Sequence, residues 1–226
     1  MKNLRRGCFY VISITKIANI AIFINPVVAN MYIKEDLDEW LLNNGYVRVE
    51  IENDWHGIVK EKYNEVLNST EKTLIDKRCP LAVDTINQYI NNTNTLLPEI
   101  DPILIHCGVE LSNRDDLKGK QKIITTPCES LANYGNKKEL EDTVFISWKE
   151  FIKSIDKDST IKSNILDESP IPLGYFDSLK FKITSLSGKE NIESYFENEF
   201  YKKDDLVEML YCKGGCNNGD GVLINE

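Results

Sequence analysis

Residues 121–128 read Gln-Lys-Ile-Ile-Thr-Thr-Pro-Cys: a short run rich in β-branched residues that stops at a proline and a cysteine. Such a run, too short for a helix and bounded by a breaker, predicts a buried strand over 121–126. The same punctuation recurs outward from it. Residues 73–76 are a strand candidate ending at Arg78-Cys79-Pro80, and residues 81–90 carry Val83, Ile86 and Ile90 at helical spacing. Residues 144–147 predict a strand and 148–155 its helix. Upstream, a strand over 18–24 is followed by a helix over 34–43, with Leu37, Trp40 and Leu41 on one face and Asn44-Gly45 closing it. A strand over 46–51 and an amphipathic helix over 58–67 come next. Strands alternating with helices predict an α/β layered fold with a mainly parallel sheet. Residues 156–177, polar and carrying Pro170 and Pro172, read as a long loop.

The chain has 226 residues, 42% hydrophobic and 28% charged, with a formal charge of −9. That length suits one sizeable domain or two fused lobes with a real core. The negative charge and scattered lysines and arginines exclude a nucleic-acid binder, because phosphate neutralisation needs a basic face. At the N-terminus, Lys2, Arg5 and Arg6 precede an apolar stretch over 8–24 and then Val27-Val28-Ala29, the pattern of a cleaved signal. Lys16 and Asn19 interrupt that stretch, which makes it too broken for a membrane span. Residues 17–28 read better as a first buried strand and its turn.

Six cysteines are present. Disulfide frameworks suit small domains short of core, and this chain is not short of core. Cys79 and Cys128 each sit where a strand gives way to a helix, and the carboxyl ends of parallel strands are where such sheets bind ligands. Cys212-Lys213-Gly214-Gly215-Cys216 is a tight C-x-x-x-C whose glycines permit close backbone approach. Cys79, Cys128, Cys212 and Cys216 are therefore candidate metal ligands, for a 4Fe–4S cubane or for structural zinc. Cys8 and Cys107 read as non-ligands, Cys107 as core on an apolar stretch over 103–109. His56 and His106 read as structural histidines on helices.

Residues 208–221, Glu-Met-Leu-Tyr-Cys-Lys-Gly-Gly-Cys-Asn-Asn-Gly-Asp-Gly, resemble the third signature of the FeFe hydrogenase large subunit, E-x-M-x-C-x-G-G-C-x-N-G-G-G. Pro127-Cys128 is similar to the second signature, P-C-x-x-K, and Cys79-Pro80 to the end of the first; Ser187-Gly188 and Asn191 add a weaker likeness. The resemblance covers most of the chain from the first strand onward. It implies one catalytic-domain-like unit over 1–226, folded as two α/β lobes around a central iron–sulfur site, about 17–78 with the C-terminal part and about 79–160. It also implies that Cys79, Cys128, Cys212 and Cys216 hold a 4Fe–4S cluster, with Cys216 in the position that bridges to a diiron centre in the family.

The departures bear on function. Arg78 stands where active hydrogenases place a proton-relaying cysteine, and Leu131 where a lysine anchors a cyanide ligand. Thr126 and Leu210 replace methionines that pack on the diiron unit, and Asp220 replaces a glycine. Leucine donates no hydrogen bond, and arginine, which stays protonated, is a poor proton shuttle. No C-x-x-C-x-x-C run of a ferredoxin-like module occurs. The expectation is a cubane-binding, non-catalytic or regulatory relative that transfers electrons or senses redox state. It would have a separate redox partner, such as a ferredoxin or a hydrogenase subunit, and work in a reducing cytoplasm. A divergent hydrogenase that turns over H₂ and a zinc-stabilised scaffold are the alternatives. Catalytic candidates are Arg78, as a cation beside the cluster or a solvated turn residue, and Glu208, as a proton relay or a solvated carboxylate on the last helix. Glu129 is a further proton-relay candidate. Residues 197–205 read as an exposed helix end.

Overall fold

The computed structural model describes residues 20–90, 94–155, 161–164, 166 and 168–216. Eight strands form two four-stranded sheets, and every pairing is parallel. The first sheet runs β2-β1-β5-β6, from β1 (Ile20–Phe23), β2 (Tyr46–Arg48), β5 (Gln121–Thr126) and β6 (Thr143–Ser147). The second runs β4-β3-β8-β7, from β3 (Thr73–Ile75), β4 (Thr95–Leu96), β7 (Ile183–Ser187) and β8 (Leu206–Leu210). The expected α/β architecture of two lobes with parallel sheets is therefore present. The strands are shared out differently from the expected grouping, because β1 and β2 pair with β5 and β6 rather than with the C-terminal strands.

Each sheet is covered on both faces, as parallel sheets require. Along β1, Ala21 and Phe23 face α5 (Ile103–Asn113) and α6 (Glu129–Asn136), while Ile22 and Ile24 face α2 (Lys34–Asn43) and α7 (Trp148–Ser154). This alternation follows from the two-residue period of a strand. In the second sheet Leu74 packs on Tyr63 and Leu67 of α3 (Trp55–Leu67), and Ile75 on Ala82 and Ile86 of α4 (Pro80–Ile86) and on Phe196 of α8 (Lys189–Glu197). Cys107 lies in the first core with 1% of its surface exposed.

β1 is an interior strand, and Val27 and Val28 of α1 (Pro26–Ala29) are fully buried, so residues 20–29 belong to the fold. The signal-like residues before Ile20, including Cys8, lie outside the described residues. Within the expected loop over 156–177, residues 156–160, 165 and 167 also lie outside them, and the remainder holds no helix or strand.

One expectation is corrected. Glu208 sits in the middle of strand β8, not on a helix, and its carboxylate is fully buried rather than solvated. The expected exposed helix end over 197–205 is present in outline: α8 ends at Glu197, a short 3₁₀ turn, Phe200–Lys203, follows, and all of these residues but Tyr201 and Asp204 are exposed. Among the described residues no helix is long and apolar enough to cross a membrane.

Candidate metal centre

The carboxyl ends of β3, β5 and β8 deliver the four cysteines. Cys79 is the extended residue that caps α4, with Pro80 in the first turn where a missing N–H costs nothing. Cys128 takes the same place before α6 and is also extended. Its backbone is fixed by Thr126, whose hydroxyl donates to the Cys128 carbonyl at 2.8 Å. One strand earlier in that sheet, the side-chain amide of Asn25 donates to the hydroxyl of Thr125 at 3.2 Å, and its carbonyl oxygen accepts from the N–H of Val28.

Cys212 and Cys216 close a turn beyond β8. Gly214 and Gly215 have φ of +76° and +135°, values that L side chains rarely adopt. At Gly215 a Cβ would lie 2.7 Å from the Ile171 carbonyl oxygen, so the turn is pressed against the loop at 169–171. That loop holds the cysteine directly. The N–H of Cys216 donates to the Ile171 carbonyl at 3.0 Å, and the Ser169 hydroxyl donates to the Cys216 carbonyl at 2.6 Å.

All four cysteines line one cavity of about 110 Å³, together with Ile103, Leu104, Leu131, Ile171 and Leu210. Its walls are almost wholly apolar, and among the described residues Arg78 is the one charged side chain on them. Burial pushes the Cys79 thiol up to about 11, opposed by the N–H groups of Tyr211 and Ala82, while Cys128 and Cys212 are close enough to raise it further. Burial likewise pushes Cys107, outside this group, up to about 12. Among the described residues no three histidine, cysteine, aspartate or glutamate side chains gather tightly enough to share a single metal ion.

Beside the cavity lies a buried ionic triad that the sequence reading did not see. Arg78 is not a solvated turn residue: its Nη2 donates to Asp76 at 2.8 Å and to Glu208 at 2.7 Å, and both carboxylates are fully buried. The guanidinium also stacks over Tyr175, 3.9 Å from the ring centre. Burial alone would depress the Arg78 pKa, but the two carboxylates raise it overall, so it stays a fixed cation. Glu208 accepts further bonds from the N–H groups of Gly174 and Tyr175 and from the Ser185 hydroxyl. A carboxylate holding four donors at once is a structural anchor. It fastens the far end of the same loop that holds Cys216. Glu129, at the start of α6, lines a separate polar cleft with Cys128, Asp84 and Lys137.

His106 stacks on Trp55 at 4.8 Å, but its Nε2 is buried and lacks a hydrogen-bond partner among the described residues, so it is packed without being the satisfied histidine expected; His56 is exposed and sits edge-on to Tyr175. The sequence signal for the triad was an acid inside an otherwise apolar run, Leu206-Val207-Glu208-Met209-Leu210. Such an acid in a buried strand needs a cation or several donors. The chain matches no family model and no curated protein.

Proposed function

We propose that Cys79, Cys128, Cys212 and Cys216 hold one 4Fe–4S cluster, and that the protein is a non-catalytic relative of the FeFe hydrogenase catalytic domain that transfers electrons or senses redox state. The observation that carries this reading is the meeting of four cysteines, from three distant segments, on one apolar cavity. Thiolates on a single zinc lie about 3.8 Å from one another, given Zn–S bonds of about 2.3 Å. A cubane takes four thiolates around a larger core, and the likeness of residues 208–221 to the hydrogenase signature favours that core over zinc. When bound, such a cluster supplies reversible one-electron transfer.

The surrounding residues favour electron transfer over hydrogen chemistry. Leu131 and Leu210 present only hydrocarbon to the cavity, and Arg78 is held by Asp76 and Glu208 as a fixed cation rather than a proton carrier. Glu208 is taken up by four donors, a structural arrangement rather than a relay position. These features argue against a diiron centre. Cys128 also lines the open cleft with Asp84, Glu129 and Lys137, which is where a separate redox protein, such as a ferredoxin or a hydrogenase subunit, would reach the ligands. An exposed cluster edge of this kind belongs in a reducing compartment.

Infrared and low-temperature paramagnetic resonance spectra of protein matured together with hydrogenase maturases test the reading. A signal that appears on reduction and vanishes on reoxidation, without carbon monoxide or cyanide bands, is expected. Such bands together with H₂ turnover would replace it with the hydrogenase reading.

A further inference from the structure

A second cavity, of about 460 Å³, adjoins the thiol-lined one and shares Arg78, Ile103, Leu104, Pro127 and Ile171 with it. It lies at the carboxyl end of β1, where Phe23 and Pro26 line it, and the rings of Trp55, His56 and Tyr175 are also on its walls. Its size, its apolar and aromatic walls and its few polar groups are those of small-molecule sites, which run from about 300 to 1,000 Å³. Strand carboxyl ends are also the usual ligand side of such sheets.

The polar groups narrow the ligand. Arg78 uses Nε and Nη2 on Asp76 and Glu208, and among the described residues its Nη1 has no acceptor. Its charge is already outnumbered by those two carboxylates, and Asp54 is a third carboxylate on the cavity wall. With the charge of Arg78 already matched by its own carboxylates, an anion would gain little from it, whereas a neutral acceptor would meet a spare N–H donor. Burial, with Lys60 next, lowers the His56 pKa, so that ring also presents an uncharged face.

We propose that this cavity binds a small, flat, uncharged molecule bearing one hydrogen-bond acceptor, its ring among Trp55, His56 and Tyr175 and its acceptor on Nη1 of Arg78. The site does not depend on what the four cysteines hold. It is tested on the full chain by calorimetry and by the indole N–H resonance of Trp55, with three matched probes: 2-acetylnaphthalene, 2-ethylnaphthalene and 2-naphthoate. The ketone is expected to bind once per chain and to shift the Trp55 resonance. The hydrocarbon, lacking an acceptor, and the carboxylate are each expected to bind about tenfold more weakly or worse. Arg78→Met should erase the preference for the ketone. Because that change strands two buried carboxylates and can unfold the protein, Ile51→Trp, which fills the cavity from the segment after β2, is the second variant. It should keep the circular dichroism of the parent and lose the ketone. Equal binding of the three probes, no binding of the ketone, or undiminished binding to Ile51→Trp overturns the proposal.

Discussion

The two sheets present cysteines from the same place, the carboxyl ends of parallel strands, but they secure those ends with different chemistry. In the first, neutral hydrogen bonds serve: Asn25 bonds Thr125 across the ends of two strands, and the Thr126 hydroxyl separately holds the Cys128 carbonyl. In the second, Asp76, Arg78 and Glu208 form a buried ionic lock whose outer bonds hold the loop that grips Cys216. A neutral bond contributes modestly, and its loss leaves one unsatisfied group. A buried ionic set is brittle, because removing one member strands the buried charges or donors it held. The first lobe should therefore tolerate substitutions at its strand ends that the second does not.

Glu208→Ala is the sharpest way to break this contrast. It removes the acceptor for four donors and leaves Arg78 and Asp76 in place. A loss of about 3–5 kcal/mol of unfolding free energy is expected in urea denaturation. A loss below about 1 kcal/mol would mean that the ionic lock holds nothing. Asn25→Ala, the counterpart in the first lobe, removes a helix cap and the bond to Thr125. It should cost about 1–2 kcal/mol, and a value equal to that of Glu208→Ala would erase the distinction between the lobes.

The smallest effect is a pH slope that belongs to neither lock. Burial, with Lys62 next, holds His106 below its ordinary value of 6.5, and among the described residues Nε2 gains no partner to offset this. The unfolded chain then takes up the proton more readily than the folded one. Stability is full above about pH 6.5, falls as the pH drops through that value, and levels off below the folded pKa. His106→Phe keeps a ring against Trp55 and should flatten this slope in urea midpoints taken between about pH 8 and pH 5. His56 is lowered in the same direction by burial and accounts for part of what remains. An unchanged slope in the His106 variant would assign all of it elsewhere.

These contrasts also mark how far the sequence could be read. The helix Lys34–Asn43 and the strand Gln121–Thr126 were legible to the residue, because each carries the apolar period of its own geometry or ends at a breaker. β7 was not, since all five of its residues are only partly buried and give no alternation strong enough to read. β4 is two residues long, and β8 was masked by Glu208, whose charge argues against a buried strand until its partners are known. The four cysteines that meet on one cavity could be singled out beforehand because residue type and neighbours are local signals. The ionic lock was not, because Arg78 and Glu208 are 130 residues apart and nothing local pairs them. The second cavity was hidden for the same reason, being assembled from β1, α3, α5 and the loop before β7.

The central claim is that four cysteines share one inorganic core, and metal analysis after anaerobic reconstitution of the full chain tests it most directly. The account predicts close to four irons and four sulfides per chain, with the yield collapsing in Cys79→Ser, Cys128→Ser, Cys212→Ser and Cys216→Ser but not in Cys107→Ser. Fewer than about three irons per chain, or one tightly held zinc in a colourless protein, would contradict it.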